Sequence, residues 1–405
     1  MPHHVGKNYT VDTHRTVTTQ ETLARVRPLL AQMGITRVAN VTGLDRIGIP
    51  VVMVTRPNSR SVAVSQGKGL SLDAAKASGV MEAVETWHAE RISLPVRYAS
   101  HSDIKQDVAV VDIARLPRIR NSRFTETLKT LWIEGRDLVR REVSWVPFEM
   151  VHTDYTLPVA PGHGCFPCST NGLASGNHIL EATCHAVCEV IERDATSVWH
   201  HLPAAARHRS RIRPETIDDP VCRDAISRLD AAGLDFAIWD TTTDVGVASF
   251  HCLIVENEAR AGHIGIGGGC HTHRGIALLR ALTEAVQTRM TYISGARDDI
   301  TPDEFTPQAI SQKCQFARDL IGKLRPDRDF SDCPHWDSDN FEDDIAWLLE
   351  RLQEAGCDQV LTVDLTKPEI GVSVVRAVIP GLEAPHDDDN YVAGPRAIRA
   401  GKGVS

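Results

Sequence analysis

Glutamate side chains recur at helical spacing in several stretches of this chain. In SGVMEAVETWHAER, residues 78–91, Ser78, Glu82 and Glu85 follow the spacing i, i+4, i+7, which places them on one face of a helix. The two carboxylates repel each other, and neither has a lysine or arginine three or four residues away. One such pair is typical of a solvated helix face, but it is also what a bound cation would require.

The same acidic stripe returns in NHILEATCHAVCEVIERDA, residues 177–195. Asn177 stands where the helix is expected to start, and the helical period of 100° per residue places Glu181, Glu189 and Glu192 on one side. Arg193 follows Glu192 and lies one turn after Glu189, so it can pair with one of these carboxylates.

A third stripe lies in RALTEAVQTRM, residues 280–290. Arg280, Glu284 and Gln287 repeat the spacing i, i+4, i+7, whereas Arg289 projects from the opposite face and is predicted to be structural. If the apolar faces of these three helices pack together, their polar stripes border one interior cavity. We therefore expect the three stripes to form a single site.

Carboxylates gathered in an interior cavity are costly unless a cation compensates them. Mg²⁺ prefers oxygen ligands and commonly bridges protein carboxylates to nucleotide phosphates. Asn177, Arg193 and Gln287 supply the neutral and cationic donors that phosphate, ribose and base require. The pattern predicts a magnesium and nucleotide site.

Glycine-rich segments offer two further candidates for nucleotide binding. Lys68, in the sequence GKG before the first stripe, is either a phosphate contact or part of a surface turn. The chain has no GxxxxGK[ST] sequence, which argues against a P-loop ATPase. The run GIGGGCH lacks the GxGxxG order of a dinucleotide fold, so its glycines indicate a tight turn or a close backbone approach. We interpret residues 262–275 as a loop.

Composition excludes some functional classes. A net charge of −9 argues against nucleic-acid binding and against binding to anionic membranes, and no apolar run is long enough to span a membrane. The start of the chain lacks an apolar segment of signal-peptide length, and ten cysteines are scattered along 405 residues. These features predict a cytoplasmic protein. Cys165 and Cys168 have the spacing of half a zinc site or of a redox or sulfur-carrying pair, and packing is the simpler interpretation.

The local patterns predict one mixed α/β catalytic unit. We expect an N-terminal helical extension over residues 1–45, a catalytic domain over 46–385 and a polar tail over 386–405. The predicted helices cover residues 19–33, 71–91, 178–199, 275–293 and 342–355. The predicted β segments lie within 34–57 and at 61–69, 108–113, 143–151, 235–241, 247–255, 359–364 and 372–379. Residues 296–308 and 325–344 are predicted to be surface loops.

Three segments resemble the signature regions of the YcaO superfamily, in the family's order and spacing. They are GKGLSLDAAKASGVMEAVE, STNGLASGNHILEATCHAVCEVIERDA and ALLRALTEAVQTR, and the resemblance runs from about residue 35 to 383. It implies the YcaO ATP-binding fold, an α/β arrangement of sheets packed by helices. It also implies ATP and Mg²⁺ as cofactors.

The resemblance also implies roles for individual residues. Glutamates of the first two regions are implied to hold the metal: Glu82, Glu85, Glu189 and Glu192. The implied ATP-binding residues are Lys68, Ser78, Asn177, Glu181, Arg193, Arg280, Glu284 and Gln287, with Arg15 and Thr22 matching a basic residue followed seven positions later by Ser or Thr. Thr86 stands where the first family motif ends in arginine.

The best known YcaO proteins activate backbone amides of peptides or proteins. A nucleophile adds to the carbonyl carbon, the resulting oxyanion is phosphorylated, and phosphate departs. A Cys, Ser or Thr side chain of the substrate then gives an azoline, whereas sulfide gives a thioamide. The present chain lacks the PxPxP tail common in azoline-forming members, and ITRVANVTGLDRIGIPV and VVRAVIPGLE are most similar to the group that works with a TfuA partner.

The resemblance therefore implies ATP-dependent thioamide formation with a TfuA-like protein. The alternatives are an azoline-forming cyclodehydratase, a non-catalytic ATP-binding scaffold that captures peptide, and modification of a folded cellular protein. Related proteins often dimerise, so a homodimer is expected.

Overall fold

Helices and strands alternate along the chain in a computed structural model that describes residues 4–257, 262–297, 299–322 and 325–403. The outermost residues of the predicted extension and tail, 1–3 and 404–405, lie outside this range. Within it, the helices are α1 (Thr19–Val26), α2 (Leu72–Ala89), α3 (His101–Asp107), α4 (Ile179–His201), α5 (Ala204–Arg209), α6 (Pro220–Ala231), α7 (Arg274–Ser294), α8 (Pro307–Gly322), α9 (Phe341–Glu354) and α10 (Pro395–Gly401). The strands are β1 (Arg37–Asn40), β2 (Val51–Thr55), β3 (Val64–Lys68), β4 (Val96–Ser100), β5 (Lys129–Asp137), β6 (Glu142–Pro147), β7 (Leu173–Gly176), β8 (Leu234–Asp240), β9 (Ser249–Glu256), β10 (Gly265–Cys270), β11 (Leu361–Asp364) and β12 (Ser373–Val378).

In the described part of the chain, these strands form three antiparallel sheets. Two sheets have three strands each, in the orders β1-β2-β3 and β10-β9-β8. The third has six strands, in the order β4-β5-β11-β12-β7, with β6 paired to β5. Helices pack on all three sheets, which confirms the predicted α/β class.

The three acidic helices each follow the terminal strand of a different sheet. Strand β3 leads into α2, β7 into α4, and β10 into α7, and each helix packs against the strand that precedes it. We call these pairs the three strand–helix units. Because a terminal strand has one unpaired edge, each unit presents free backbone groups beside its helix.

Glycines allow the strand and helix of a unit to approach at backbone distance. A Cβ atom at Gly267 would lie 2.2 Å from the carbonyl oxygen of Ala281 on α7, and one at Gly67 would lie 1.9 Å from that of Ala75 on α2. The interpretation of residues 262–275 as a loop is therefore wrong for β10, although the close approach is confirmed. A strand of glycines has no side-chain alternation, which is why the strand pattern was absent.

Helix boundaries follow local capping. The Ser71 hydroxyl accepts a hydrogen bond from the Ala74 N–H at 3.1 Å and starts α2, and Gly295, with φ of 57°, ends α7 in the left-handed conformation. Asn177 was expected to cap α4, but His178 is the N-cap, and its Nδ1 accepts from the Leu180 N–H at 3.2 Å. Asn177 is therefore available for other contacts.

Several elements differ from the predicted pattern. Helix α1 ends at Val26, followed by a short 3₁₀ helix that contains Pro28, and residues 108–113 contribute only an isolated bridge between Val110 and Trp145. Strands β4, β5 and β7 and helices α3, α5, α6 and α8 were not predicted. In the predicted polar tail, α10 packs on α4 and buries Arg396. Among the described residues, no helix has both the length and the apolar character needed to cross a membrane.

Candidate functional site

The stripes of α2 and α4 contact the terminal strands of neighbouring units. Glu85 on α2 accepts hydrogen bonds from the backbone N–H and the hydroxyl of Ser175 on β7, at 2.8 and 2.7 Å. Glu192 on α4 accepts from the N–H of Cys270 on β10 at 3.0 Å. Each helix thus sends a carboxylate to the edge of the next unit that is not paired with another strand.

The third helix closes this arrangement. Glu284 on α7 forms an ion pair with Lys68 on β3 at 2.5 Å, and the side-chain amide of Gln287 donates to the Gln66 carbonyl oxygen at 3.0 Å. The three strand–helix units therefore form a ring, with α2 bonded to β7, α4 to β10 and α7 to β3. Stripes separated by about 100 residues in sequence meet here, as predicted.

Other carboxylates of the stripes accept single backbone N–H groups. These bonds join Gln66 N to Glu82 at 3.4 Å, Gly268 N to Glu284 at 3.3 Å and Gly172 N to Glu189 at 3.2 Å. A carboxylate has about four acceptor positions, so one or two weak donors leave most of its capacity unused.

The start of α4 is tied to the N-terminal segment. Glu181 accepts from the N–H and hydroxyl of Thr16, each at 2.8 Å, and lies 3.5 Å from Arg15 Nε. Asn177 donates to Glu181 at 3.3 Å and accepts from the Thr22 hydroxyl at 3.1 Å. Arg15 and Thr22, which were predicted from a short pattern, therefore lie beside the second stripe.

Burial changes the acidity of the carboxylates that lack a direct cation partner. It raises the pKa of Glu82 to about 7, against the opposing charge of Lys68, and that of Glu85 to about 8. It also raises the pKa of Glu189, and the charges of Glu82 and Glu189 raise that of Glu85 further. These three side chains are short of positive charge.

Other residues of the ring are cationic. Burial opposes ionisation of Glu284, but Lys68 and Arg193 outweigh it and hold its pKa at about 2. Burial also opposes the charge on Arg193, yet Glu192, Glu284 and Glu189 raise its pKa overall. The Arg193 guanidinium lies 3.7 Å from Glu192. Arg193 therefore stays charged at neutral pH.

Two remaining predicted residues extend the stripes by one helical turn. Ser78 is half-buried on α2, one turn before Glu82, and Arg280 lies on α7, one turn before Glu284. The buried Nε atom of Arg280 has no hydrogen-bond partner among the described residues, and its charge lowers the pKa of Glu189. Arg280 is thus free to donate to a ligand.

Thr86 replaces the arginine that ends the first family motif. Arg56 donates to the Thr86 hydroxyl at 2.7 Å and forms an ion pair with Glu90. Arg56, the residue after strand β2, therefore places a buried guanidinium next to Thr86.

The donor set suits a magnesium nucleotide better than a metal held by protein alone. Within residues 4–257, 262–297, 299–322 and 325–403, no three His, Cys, Asp or Glu side chains converge closely enough to hold a metal ion by themselves. In nucleotide sites Mg²⁺ keeps several waters and binds through one or two carboxylates plus phosphate. Glu82, Glu85 and Glu189 lack positive charge, and Lys68, Arg193 and Arg280 provide donors for phosphate. The residues present therefore fit this pair of cofactors.

The cysteines form no disulfide, and in the part of the chain that the structure describes they belong to no cluster of three metal-ligating side chains. All ten are free. Cys168 is half-buried with its sulfur 3.4 Å from the His152 carbonyl oxygen, and burial raises the pKa of its thiol to about 12. Cys165 is buried. These features favour the packing interpretation over a zinc site.

Comparison with known families agrees with this geometry. A family model described as YcaO cyclodehydratase, ATP- and Mg²⁺-binding, matches residues 66–383, well over half of the chain. The chain belongs to the YcaO family. ATP and Mg²⁺ are accordingly the cofactors of this YcaO protein, as the family resemblance implied.

Relatives cover nearly the full length of this YcaO protein. It is 34% identical over 400 residues to an uncharacterized protein in the tfuA 3′ region of Rhizobium leguminosarum bv. trifolii, covering 96% of this chain and 93% of the relative. It is 33% identical over 387 residues to an uncharacterized protein of Methanothermobacter thermautotrophicus, covering 94% and 97%. The first relative supports the similarity to the TfuA-associated group.

Solved structures confirm the predicted fold. YcaO from Methanopyrus kandleri, bound with AMPPCP and Mg²⁺, has a TM-score of 0.74 at 22% identity, covering 96% of this chain and 98% of that one. A heterocyclase in complex with substrate and cofactor has a TM-score of 0.79 at 21% identity, covering 95% of this chain and 54% of that one.

Two features of the site were not predicted from sequence. Thr16 is the main partner of Glu181, and the only signal was its position beside Arg15. Arg376, a buried arginine on β12, lies close enough to Glu189 for their charges to interact. A single arginine inside the apolar run SVVRAVI is an anomaly that sequence alone could have flagged, because buried arginines are rare unless paired.

Proposed function

We propose that this YcaO protein activates a peptide or protein backbone amide by ATP-dependent phosphorylation of its carbonyl oxygen, and that the product is a thioamide. The main support is the ring of three strand–helix units, which gathers acidic and cationic side chains around one site. The relative in a tfuA 3′ region supports sulfur as the incoming atom and a TfuA-like protein as the partner.

In this proposal the residues of the ring divide into metal ligands and nucleotide-binding residues. The proposed metal ligands are the charge-deficient carboxylates and their neighbour: Glu82, Glu85, Glu189 and Glu192. The proposed nucleotide-binding residues are Arg15, Thr22, Lys68, Ser78, Asn177, Glu181, Arg193, Arg280, Glu284 and Gln287. The nucleotide supplies a phosphoryl group that converts the carbonyl oxygen into a good leaving group. Lys68, Arg193 and Arg280 stabilise the negative charge that develops on the transferred group.

The wider organisation is also proposed. Residues 46–385 would form the catalytic domain, with residues 1–45 and 386–405 as flanking segments. Arg15 and Thr22 of the first segment contact the second stripe, so we expect that segment to take part in nucleotide binding. We further propose a cytoplasmic homodimer that binds peptide or protein rather than nucleic acid or membrane.

Azoline formation is the second candidate, because the matching family model is described as a cyclodehydratase. The two reactions share the activated carbonyl and differ in the nucleophile. An external sulfide gives a thioamide, whereas a Cys, Ser or Thr side chain of the substrate gives a ring with loss of water.

Reconstitution distinguishes these products. Full-length protein is combined with the TfuA-like protein of its own genome, the peptide encoded nearby, ATP, Mg²⁺ and sulfide, and the peptide is measured by mass spectrometry. We expect the mass gain of sulfur replacing oxygen. Loss of water instead would support azoline formation, and nucleotide binding without phosphate release under all these conditions would support a scaffold.

A further inference from the structure

A buried arginine lies beside the proposed metal ligands without the partners that buried arginines normally have. Arg376, on β12, is 3% exposed, and its Nε and Nη1 atoms have no hydrogen-bond partner among the described residues. Arg289, by contrast, is equally buried and pairs with Asp45 and Glu256. An unpaired buried guanidinium costs folding free energy, so it indicates a missing partner.

A cavity next to Arg376 contains a matching unpaired acceptor. Arg376 and Asn171 both line a cavity of about 30 Å³, which has room for about two water-sized groups. The Asn171 Oδ1 atom is buried and, in the described ranges, accepts no hydrogen bond. Leu382 and Val190 add apolar wall. Two residues with unpaired polar atoms, donors in Arg376 and an acceptor in Asn171, therefore line one cavity between apolar surfaces.

The only acid lining this cavity is already occupied within the described structure. Glu383 accepts hydrogen bonds from the backbone N–H groups of Gly394, Arg396 and Ala397 at 2.7 to 3.0 Å. It is therefore not a partner of Arg376.

The cavity adjoins the proposed metal site. Gly172, the residue after Asn171, donates its N–H to Glu189 at 3.2 Å, and Val190, the residue after Glu189, lines the cavity. A group bound between Arg376 and Asn171 would therefore lie next to the place where the nucleotide phosphates and Mg²⁺ are proposed to bind.

We infer that this cavity receives the reacting secondary amide of the substrate, with its carbonyl oxygen accepting from Arg376 and its N–H donating to Asn171 Oδ1. A secondary amide presents one acceptor and one donor on a group of only a few atoms, which matches the unpaired atoms of the cavity. This inference rests on the proposed amide activation and adds Arg376 as a catalytic residue.

The chemistry explains why a charged donor is useful here. When hydrosulfide adds to the carbonyl carbon, a C–S bond forms and the π pair of the C=O bond moves to oxygen. Arg376 stabilises that oxyanion until the phosphoryl group is transferred to it from ATP. Phosphate then leaves with the C–O bonding pair and with the proton of the hydrosulfide, and a C=S bond remains. The products are the thioamide, ADP and phosphate.

The test uses a simple amide as the probe. N-methyltrifluoroacetamide is titrated into the full-length protein and followed by ¹⁹F NMR, with N,N-dimethyltrifluoroacetamide as the matched ligand that lacks the N–H. We expect the wild type to prefer the N-methyl compound. Arg376→Met should weaken binding of both by about tenfold or more, whereas Asn171→Ala should remove the preference between them.

Stability separates this role from a structural one. Because the Nε and Nη1 atoms of Arg376 have no partner among the described residues, Arg376→Met should keep or raise the melting temperature. It should also lower kcat for phosphate release when the reconstituted peptide is present. Arg289→Met is the matched control, and it should lower the melting temperature without changing probe affinity. Arg376→Lys keeps the charge but not the two donors and should rescue kcat only in part.

Equal binding of both probes by wild type and Arg376→Met would overturn the inference, as would a melting temperature that falls as far in Arg376→Met as in Arg289→Met. Displacement of the probe by hydrosulfide alone would assign the cavity to the nucleophile instead. Probe binding does not require nucleotide, so unchanged phosphate release in a Glu82→Gln variant would count against the proposed function without affecting this result.

Discussion

Two groups of buried charges in this protein have opposite degrees of pairing. Away from the ring, Arg289 binds both Asp45 and Glu256, at 2.7 and 2.5 Å, so each buried charge has a partner of opposite sign. Within the ring, Glu82 and Glu85 are half-buried beside other carboxylates and accept only one or two hydrogen bonds each. In the folded chain the charges of the first group are paired with opposite charges, whereas the carboxylates of the second group are not.

The difference shows how buried charge can separate structural from functional roles. Leaving a charge buried without a partner costs several kcal/mol, so a fold tolerates it only where a ligand completes the set. In Glu82, Glu85 and Glu189 the missing component is positive charge, which Mg²⁺ supplies. In Arg376 and Arg280 the missing component is an acceptor.

The largest expected effect is a loss of ATP turnover, and it tests the carboxylates of the ring. Replacing Glu82 or Glu192 with Gln should reduce ATP turnover by about 100-fold or more, because the neutral amide removes a charge needed near the transferred phosphoryl group. Turnover is measured as phosphate release with the reconstituted peptide. Glu256→Gln is the matched control and should retain the turnover of whatever fraction is folded.

The substitution that lowers turnover should not destabilise the fold. Glu82→Gln should leave the free energy of unfolding unchanged or higher, since its carboxylate has no cation partner at hydrogen-bond distance. Unchanged phosphate release in both Glu82→Gln and Glu192→Gln would contradict the assigned metal site.

The second largest effect is a loss of stability, and it tests the paired charges around Arg289. Glu256→Gln should lower the free energy of unfolding by about 3–5 kcal/mol, because it leaves Arg289 buried with one partner removed. Urea denaturation measures this change. A loss below about 1 kcal/mol would show that the pairing of this group contributes little and that the contrast with the ring is not energetic.

The third prediction concerns pH. Burial raises the pKa of Glu85 to about 8 and that of Glu82 to about 7, above those of an unfolded chain. Their contribution to stability is therefore fully present below about pH 4.5 and is lost as the pH rises through 7 to 8. Mg²⁺ needs the ionised forms, so its binding with nucleotide should release protons and tighten up to about tenfold per pH unit for each proton released.

Calorimetry in buffers of different ionisation enthalpy measures that proton release between pH 6 and 8.5. In Glu85→Gln the release should fall and the ligand-free protein should be more stable at pH 8.5 than the wild type. Equal proton release by the two proteins would mean that Glu85 is already ionised without the metal.

The smallest expected effect comes from breaking an exposed ion pair. Asp224 and Arg228 lie one turn apart on α6, with 2.9 Å between carboxylate and guanidinium and with both side chains largely exposed. Asp224→Ala should lower the free energy of unfolding by only about 0.3–0.5 kcal/mol and lose that effect in high salt. A loss comparable with that of Glu256→Gln would show that burial does not determine the difference.

Much of the site could be predicted because most of its residues lie on helices. The period of 3.6 residues places Glu82 with Glu85, and Glu189 with Glu192, on common faces without any knowledge of the tertiary structure. Glu82, Glu85 and Glu192 could also be identified as carboxylates without a lysine or arginine one helical turn away. The exclusion of Arg289 from the stripe is confirmed by its pairing with Asp45 and Glu256.

Elements that depend on partners elsewhere in the chain were predicted poorly. Strand β10 has four glycines in six residues and is defined by its contact with α7 and its pairing with β9. Strand β5 carries Glu134, Arg136 and Asp137, which obscured its pattern, although it lies inside the six-stranded sheet. Helix α10 is anchored by the ion pair between Arg396 and Asp194 at 2.8 Å, which links residues 202 positions apart.

The amino-acid sequence by itself determined the three acidic helices, the faces of those helices that carry acid, and the family. Those properties depend on side chains a few positions apart, whose geometry the helical repeat dictates. Only the tertiary structure decided that each acidic helix reaches the free edge of a neighbouring sheet and that Arg376 and Asn171 share a cavity. Such contacts join distant segments, and whether a buried charge has a partner depends on where the whole chain places its neighbours.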